Sequence, residues 1–177
     1  YSCVPDTAFP GALLELAASV ALVRDHAEEW GIDPDKIFVC GFSAGGHLAA
    51  SLGVFWDREF VAPSLGRTAE DVRPNGMILG YPVISSGKFA HVDSINNVLL
   101  DRRTDETWAL MSLEKQVTAS TVPAFIWHTV ADDAVPVENS LMFATALREN
   151  GVPFALHITP DGCHGLSLAQ AETGMVE

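Results

Sequence analysis

Positive charge is scarce in this chain. Its 177 residues carry 10 Lys and Arg against 23 Asp and Glu, a formal net charge of −13. Nucleic acid and anionic membranes both call for a basic surface, so neither is expected as a partner. Long apolar runs are missing too, and no stretch approaches the ~20 residues of a membrane-spanning helix. Cysteine is limited to Cys3, Cys40 and Cys163. Their spacing fits no metal site, and three cannot all pair with one another. That usage favours a reducing, cytoplasmic compartment, with secretion left open because the chain opens on Tyr1 rather than Met. Low-complexity segments and propeller-like repeats are absent. With 48% hydrophobic and 19% charged residues, the composition is that of one globular domain with a sizeable core.

What is present is an alternation of short apolar runs and amphipathic segments. Pro10 to Trp30 reads as a helix, with Pro10 in its first turn and Leu13, Leu16, Ala17 and Val20 at helical spacing. Ile37–Cys40 reads as a buried strand in which Cys40 is a small core residue. Gly76–Tyr81, Ala124–His128 and Phe154–Ile158 read as three more strands. Glu138–Asn150 reads as a helix stopped by Gly151, and Leu166–Ala171 begins another. Continuous apolar strands alternating with helices predict an α/β fold: a parallel sheet of about four strands with helices on both faces. Between them, Trp56–Pro74 reads as a loop with a short helix at Ala69–Asp71. Residues 85–120 show no strand signal and one short helix after Thr104. So long an excursion in a compact domain suggests a cap over a site.

The most informative stretch is Gly41-Phe42-Ser43-Ala44-Gly45, set between the first strand and the helical run from His47 to Leu52. Strand, Gly-x-Ser-x-Gly and helix in that order form a nucleophile elbow, a strained turn that lifts the serine hydroxyl clear of the sheet. Gly41 and Gly45 are assigned to the tight turn, where side chains are expected to collide with neighbouring backbone. The helix N-terminus behind Ser43 points N–H groups to where negative charge would form, the Ala44 N–H first.

A serine hydroxyl is a poor nucleophile without a base and an acid to orient that base. In parallel sheets such groups gather at the carboxyl ends of strands. The third strand leads into Asp132-Asp133 and the fourth into His164, so the order is Ser, Asp, His, as in α/β-hydrolases. The remaining histidines are weaker candidates: His26 on a polar helix side, His157 within a strand, and His128 as support for the acidic loop. His47, on the first turn after the elbow, is read first as a core or capping residue and second as one that touches substrate; His91, in the excursion, Phe42 and Tyr81 are further candidates for touching substrate. Cys163 as an alternative nucleophile is set aside in favour of Ser43.

These segments resemble the α/β-hydrolase esterases of the acetylxylan-esterase-like and lipase/esterase-like kind. The likeness runs through Cys40–Gly53, Leu79–Ser85, Trp127-His128-Thr129 with Asp132-Asp133, and Val135-Pro136-Val137-Glu138-Asn139-Ser140, the last being more specific than the elbow itself. The resemblance implies Asp132 rather than Asp133 as the acid. It also implies small acyl groups, including acetyl esters on carbohydrate, as the small-molecule substrate, with Trp56, Phe89 and Trp108 as candidates for a sugar site. No metal or organic cofactor is indicated. Two alternatives accompany this reading: a serine peptidase related to prolyl oligopeptidases, and a binding protein on the same fold.

Only 42 residues precede Ser43, and they hold one helix and one strand; no Gly-rich oxyanion loop lies among them. The expectation is a single partial α/β-hydrolase domain over 1–177, from a protein roughly 80–100 residues longer at its N-terminus. Ile37–Cys40 would then be an unpaired hydrophobic edge, and half the oxyanion hole would be supplied from elsewhere.

Overall fold

The computed structural model describes residues 1–3 and 5–168. In chain order the elements are α1 (Gly11–Asp25), α2 (Ala27–Trp30), β1 (Phe38–Phe42), α3 (Ala44–Phe55), α4 (Ala69–Val72) and β2 (Gly76–Gly80). They continue with α5 (Val92–Leu99), α6 (Asp105–Leu110), β3 (Ala124–Thr129), α7 (Glu138–Glu149) and β4 (Phe154–Thr159). The four strands pair in parallel in the order β1-β2-β3-β4. Spatial order follows sequence order, so the loops leaving all four strands gather along one edge of the sheet, where ligand sites of such sheets lie.

One face of the sheet is core. Val39, Met77, Leu79, Ala124 and Ile126 pack with Leu13 and Ala17 of α1, Leu52 and Phe55 of α3, and Phe143 and Leu147 of α7. Helix α3 is buried on nearly every side because it lies between the sheet and α1. The other face carries the row Cys40, Ile78, Phe125 and Ala155 in register. It is open among the described residues: Phe38 is 55% exposed, Ile78 37% and Phe125 41%. The expectation of a wholly buried Ile37–Cys40 strand is therefore corrected to an alternating one, and Cys40 is exposed rather than core. An apolar run has two apolar faces, and the run itself does not say which is covered. Of the helix expected over Leu166–Ala171, residues 169–171 lie outside the described residues; Ser167 and Leu168 form a turn. β1 pairs with β2 on one side and is an edge strand among the described residues.

The expected first helix is two. It breaks at His26, whose Nδ1–H donates to the Leu22 carbonyl at 3.0 Å, and α2 ends on Gly31 at φ 65°. Pro10 stands as the N-cap residue of α1, one place ahead of its expected first-turn position.

Residues 85–120 contain an unanticipated helix, α5, beside the expected α6. Ile95 and Leu99 of α5 join Val83, Met111 and Val135 in a second, smaller core. Fully buried Asn139 on α7 ties the start of this excursion down. Its Oδ1 accepts the Ile84 and Ser85 N–H groups, both at 2.9 Å, and its Nδ2 donates to the Phe89 and Pro136 carbonyls, both at 3.0 Å.

Candidate active site

Ser43 links β1 to α3 at φ 55°, ψ −122°, a conformation that costs about 1–3 kcal/mol in a non-glycine residue. Hydrogen bonds on both sides hold it there. Its N–H donates to the Gly80 carbonyl at 3.0 Å, and its carbonyl accepts the Val83 N–H at 3.1 Å and the His47 N–H at 3.2 Å. Although it is the N-cap residue, its hydroxyl caps nothing and is left for other chemistry. The adjacent Ala44 opens α3, so its N–H belongs to the first turn, which the helix cannot satisfy internally.

The glycines around the turn are used differently from the sequence expectation. A Cβ on Gly41 would run into the Gly45 carbonyl, as expected. A Cβ on Gly45 itself would meet only the Tyr1 hydroxyl, at 3.9 Å. Gly46 is the second position with no room: a Cβ there would sit 2.7 Å from Pro82 Cβ and 2.9 Å from Pro82 Cα. The close approach is of the helix to the loop after β2, which the Gly-x-Ser-x-Gly spacing does not reveal.

Ser43 Oγ lies 2.8 Å from His164 Nε2, and His164 Nδ1 lies 2.8 Å from Asp132 Oδ2. The Asp132 side chain is 1% exposed and that of His164 is 22% exposed. Burial pushes the Asp132 carboxyl up, but hydrogen bonds from His164 and from the Val135 and Ala134 N–H groups outweigh it and hold the group below the usual range. An ionised carboxylate only accepts, so His164 Nδ1 carries the proton and Nε2 is free to accept from Ser43. The Ala134 and Val135 N–H groups reach Asp132 Oδ1 at 2.9 and 2.8 Å, fixing the plane of the carboxylate.

A second histidine bears on the same carboxylate. His128, fully buried at the end of β3, donates from Nε2 to the Val135 carbonyl at 3.0 Å and lies 3.3 Å from Asp132 Oδ2. Its Nδ1 accepts the Ser140 hydroxyl at 2.8 Å. Burial, the largest influence, pushes His128 down toward its neutral form. The support role read from its place before the acidic loop matches this geometry, and Ser140 closes the Val135–Ser140 stretch that carries the family resemblance. Thr129 Oγ1 also donates to the Gly162 carbonyl at 2.7 Å, tying the His164 loop to β3.

The four residues expected to touch substrate each have partners within the fold. Tyr81 is buried against the His164 ring, and its hydroxyl accepts the Ser167 N–H at 2.9 Å. Phe42 packs against Tyr81 and over Gly80. His91 caps α5 through Ser94, whose N–H and hydroxyl lie 3.3 and 2.9 Å from Nδ1. His47 is buried, its Nε2–H donating to the Met111 carbonyl at 3.2 Å, and burial lowers its pKa to about 4 despite that bond. It does border a cavity of about 200 Å³ beside the elbow, with Ala44, Leu48, Phe9 and Val98.

A parallel sheet that presents serine at an elbow after β1, then aspartate after β3 and histidine after β4, defines the α/β-hydrolase class. The BD-FAE family profile matches residues 1–147, and the chain belongs to that family. It is 44% identical over 161 residues to endo-1,4-beta-xylanase B of Butyrivibrio fibrisolvens, covering 90% of this chain and 25% of that protein. It is 34% identical to the acetylxylan esterase of Xylanibacter ruminicola, covering 81% of this chain and 28% of the relative. Among solved structures, the acetyl ester-xyloside bifunctional hydrolase of Caldicellulosiruptor lactoaceticus superposes with a TM-score of 0.83 at 42% identity, over 94% of this chain and 61% of that one. A carboxylesterase from Lactobacillus plantarum gives 0.78 at 31% identity, over 96% and 61%. The chain thus spans about a quarter of these two curated relatives and about three fifths of these solved chains.

Proposed function

We propose that this chain carries the serine, histidine and aspartate of a carboxylic ester hydrolase acting on small acyl esters, with acetyl groups on carbohydrate as the substrate class. The observation that carries the reading is the hydrogen-bonded line Ser43–His164–Asp132, with both links at 2.8 Å. Ser43 Oγ attacks the ester carbonyl carbon while His164 Nε2 takes its proton, and Asp132 stabilises the imidazolium. The Ala44 N–H faces the oxyanion that forms; such a donor is typically worth on the order of 10²–10³ in rate. The C–O bond to the alcohol then breaks, His164 returns the proton to the leaving oxygen, and water releases the acid from Ser43 by the same steps.

The excursion over 85–120 is part of the proposal. Ser94 and Val98 of α5 line the cavity beside Ala44, so this segment would form one wall of the acyl or alcohol site. The names of the acetylxylan esterase and the acetyl ester-xyloside hydrolase support carbohydrate acetyl esters over other small esters. In protein containing this chain, p-nitrophenyl acetate should be hydrolysed, and Ser43→Ala should lower kcat on the order of 10³-fold or more. Equal rates for the two would overturn the proposal.

A further inference from the structure

Tyr81 is the first residue after β2 and stands at φ 36°, inside the region that residues with a side chain rarely occupy. The backbone on either side of it grips the nucleophile, through the Gly80 carbonyl on the Ser43 N–H and the Val83 N–H on the Ser43 carbonyl. Its side chain grips the base. The phenol ring meets the His164 imidazole edge-on, with centroids 4.8 Å apart and planes at 70°, and its hydroxyl accepts the Ser167 N–H three residues further on. Trp127 at 5.2 Å and Phe42 at 5.8 Å pack against the same ring and keep it from swinging.

We propose that Tyr81 is a positioning residue that sets the approach of His164 Nε2 to Ser43 Oγ by bracing the loop after β4 against the loop after β2. The proposal rests on the ester-hydrolase reading for its consequence in rate. The physical need is specific. Apart from its link to Ser43, His164 hangs from Asp132 by a single Nδ1 hydrogen bond, and an imidazole so held can pivot about that nitrogen. Such a pivot moves Nε2, at the far side of the ring, while leaving Nδ1 in place. The Tyr81 ring blocks that pivot, and the Ser167 bond holds the segment that follows His164. Backbone strain persists where the surroundings over-determine it, and Tyr81 has contacts on every side that do so.

The test measures the rate at which a fluorophosphonate probe labels Ser43, per folded molecule by circular dichroism, in wild type, Tyr81→Phe and Tyr81→Leu. In labelling, Ser43 Oγ bonds to phosphorus, the P–F bond breaks, fluoride leaves and His164 takes the serine proton. Tyr81→Phe keeps the ring and loses the Ser167 bond, so labelling should slow only a few-fold. Tyr81→Leu loses both and should label about 10²-fold more slowly, the usual consequence of misplacing a reacting group by ~1 Å. A second readout needs no reaction: the ¹⁵N shift of His164 Nε2 should respond to Ser43→Ala in wild type and not in Tyr81→Leu. Wild-type labelling rates in both variants, or an undiminished response of Nε2 to Ser43→Ala in Tyr81→Leu, would overturn the proposal. If Tyr81→Leu does not fold, Tyr81→Phe decides by its rate. A wild type that fails to label would count against ester hydrolysis, while the shift comparison would still decide the role of Tyr81.

Discussion

Acid should destabilise this fold through His47 in a way that a single substitution removes. His47 is buried beneath the elbow, with one ring nitrogen spent on the Met111 carbonyl, and its folded pKa is lowered to about 4 from the ordinary 6.5. Between those two values the unfolded chain binds a proton that the folded chain refuses. Stability from this group is therefore complete above 6.5, falls as pH drops from 6.5 toward 4, and changes no further below 4. The full difference corresponds to ~3 kcal/mol, most of which is lost by pH 4.5. His47→Gln supplies an amide donor for Met111 and cannot titrate. At pH 7 it should cost about 1 kcal/mol for an imperfectly replaced hydrogen bond. At pH 4.5 it should be the more stable protein by about 1–2 kcal/mol. Asp132, held below the usual range, and His128, pushed down, also lose stability in acid, but they do so equally in both proteins. Urea denaturation across pH 4–8 reads the difference directly. Parallel stability curves for the two proteins would refute the reasoning.

Three glycine substitutions separate the turn residues from one another by thermal or urea denaturation. Gly41→Ala and Gly46→Ala should each cost roughly 2 kcal/mol or more, because their Cβ atoms meet the Gly45 carbonyl and Pro82. Gly45→Ala, in the first turn of α3 with only the Tyr1 hydroxyl at van der Waals distance, should be neutral or stabilising by up to ~1 kcal/mol. Asn139→Leu strands three backbone groups at the root of the excursion, the Ile84 and Ser85 N–H groups and the Phe89 carbonyl, and should cost about 3 kcal/mol or more in the same assay; a cost under 1 kcal/mol would contradict that network.

Strand positions were legible because each is a short apolar run bounded by Gly, Pro or Asp, and the register of the sheet adds only their order. Helix α5 was not legible. Asp93, Ser94, Asn96 and Asn97 dilute its apolar spacing of Val92, Ile95 and Leu99, and its cap is a histidine rather than the usual Ser, Thr, Asp or Asn. The Ser43, Asp132 and His164 positions could be read because each follows a strand, and strand ends of a parallel sheet share one edge. What could not be read is how those loops lean on one another. Gly46 rather than Gly45 bears the close contact, and Tyr81 packs against His164, because both depend on the loop after β2 crossing the elbow. Exposure of Cys40 was equally out of reach, since alternating faces of an apolar strand look the same in sequence.

The most direct measurement is the site of covalent capture. Protein containing this chain is treated with a fluorophosphonate probe and its peptides are mapped by mass spectrometry. A single adduct on Ser43, lost in Ser43→Ala and strongly slowed in His164→Ala and Asp132→Asn, is the predicted result. Wild type left unlabelled, or an adduct that persists at the same rate without His164, would contradict the account.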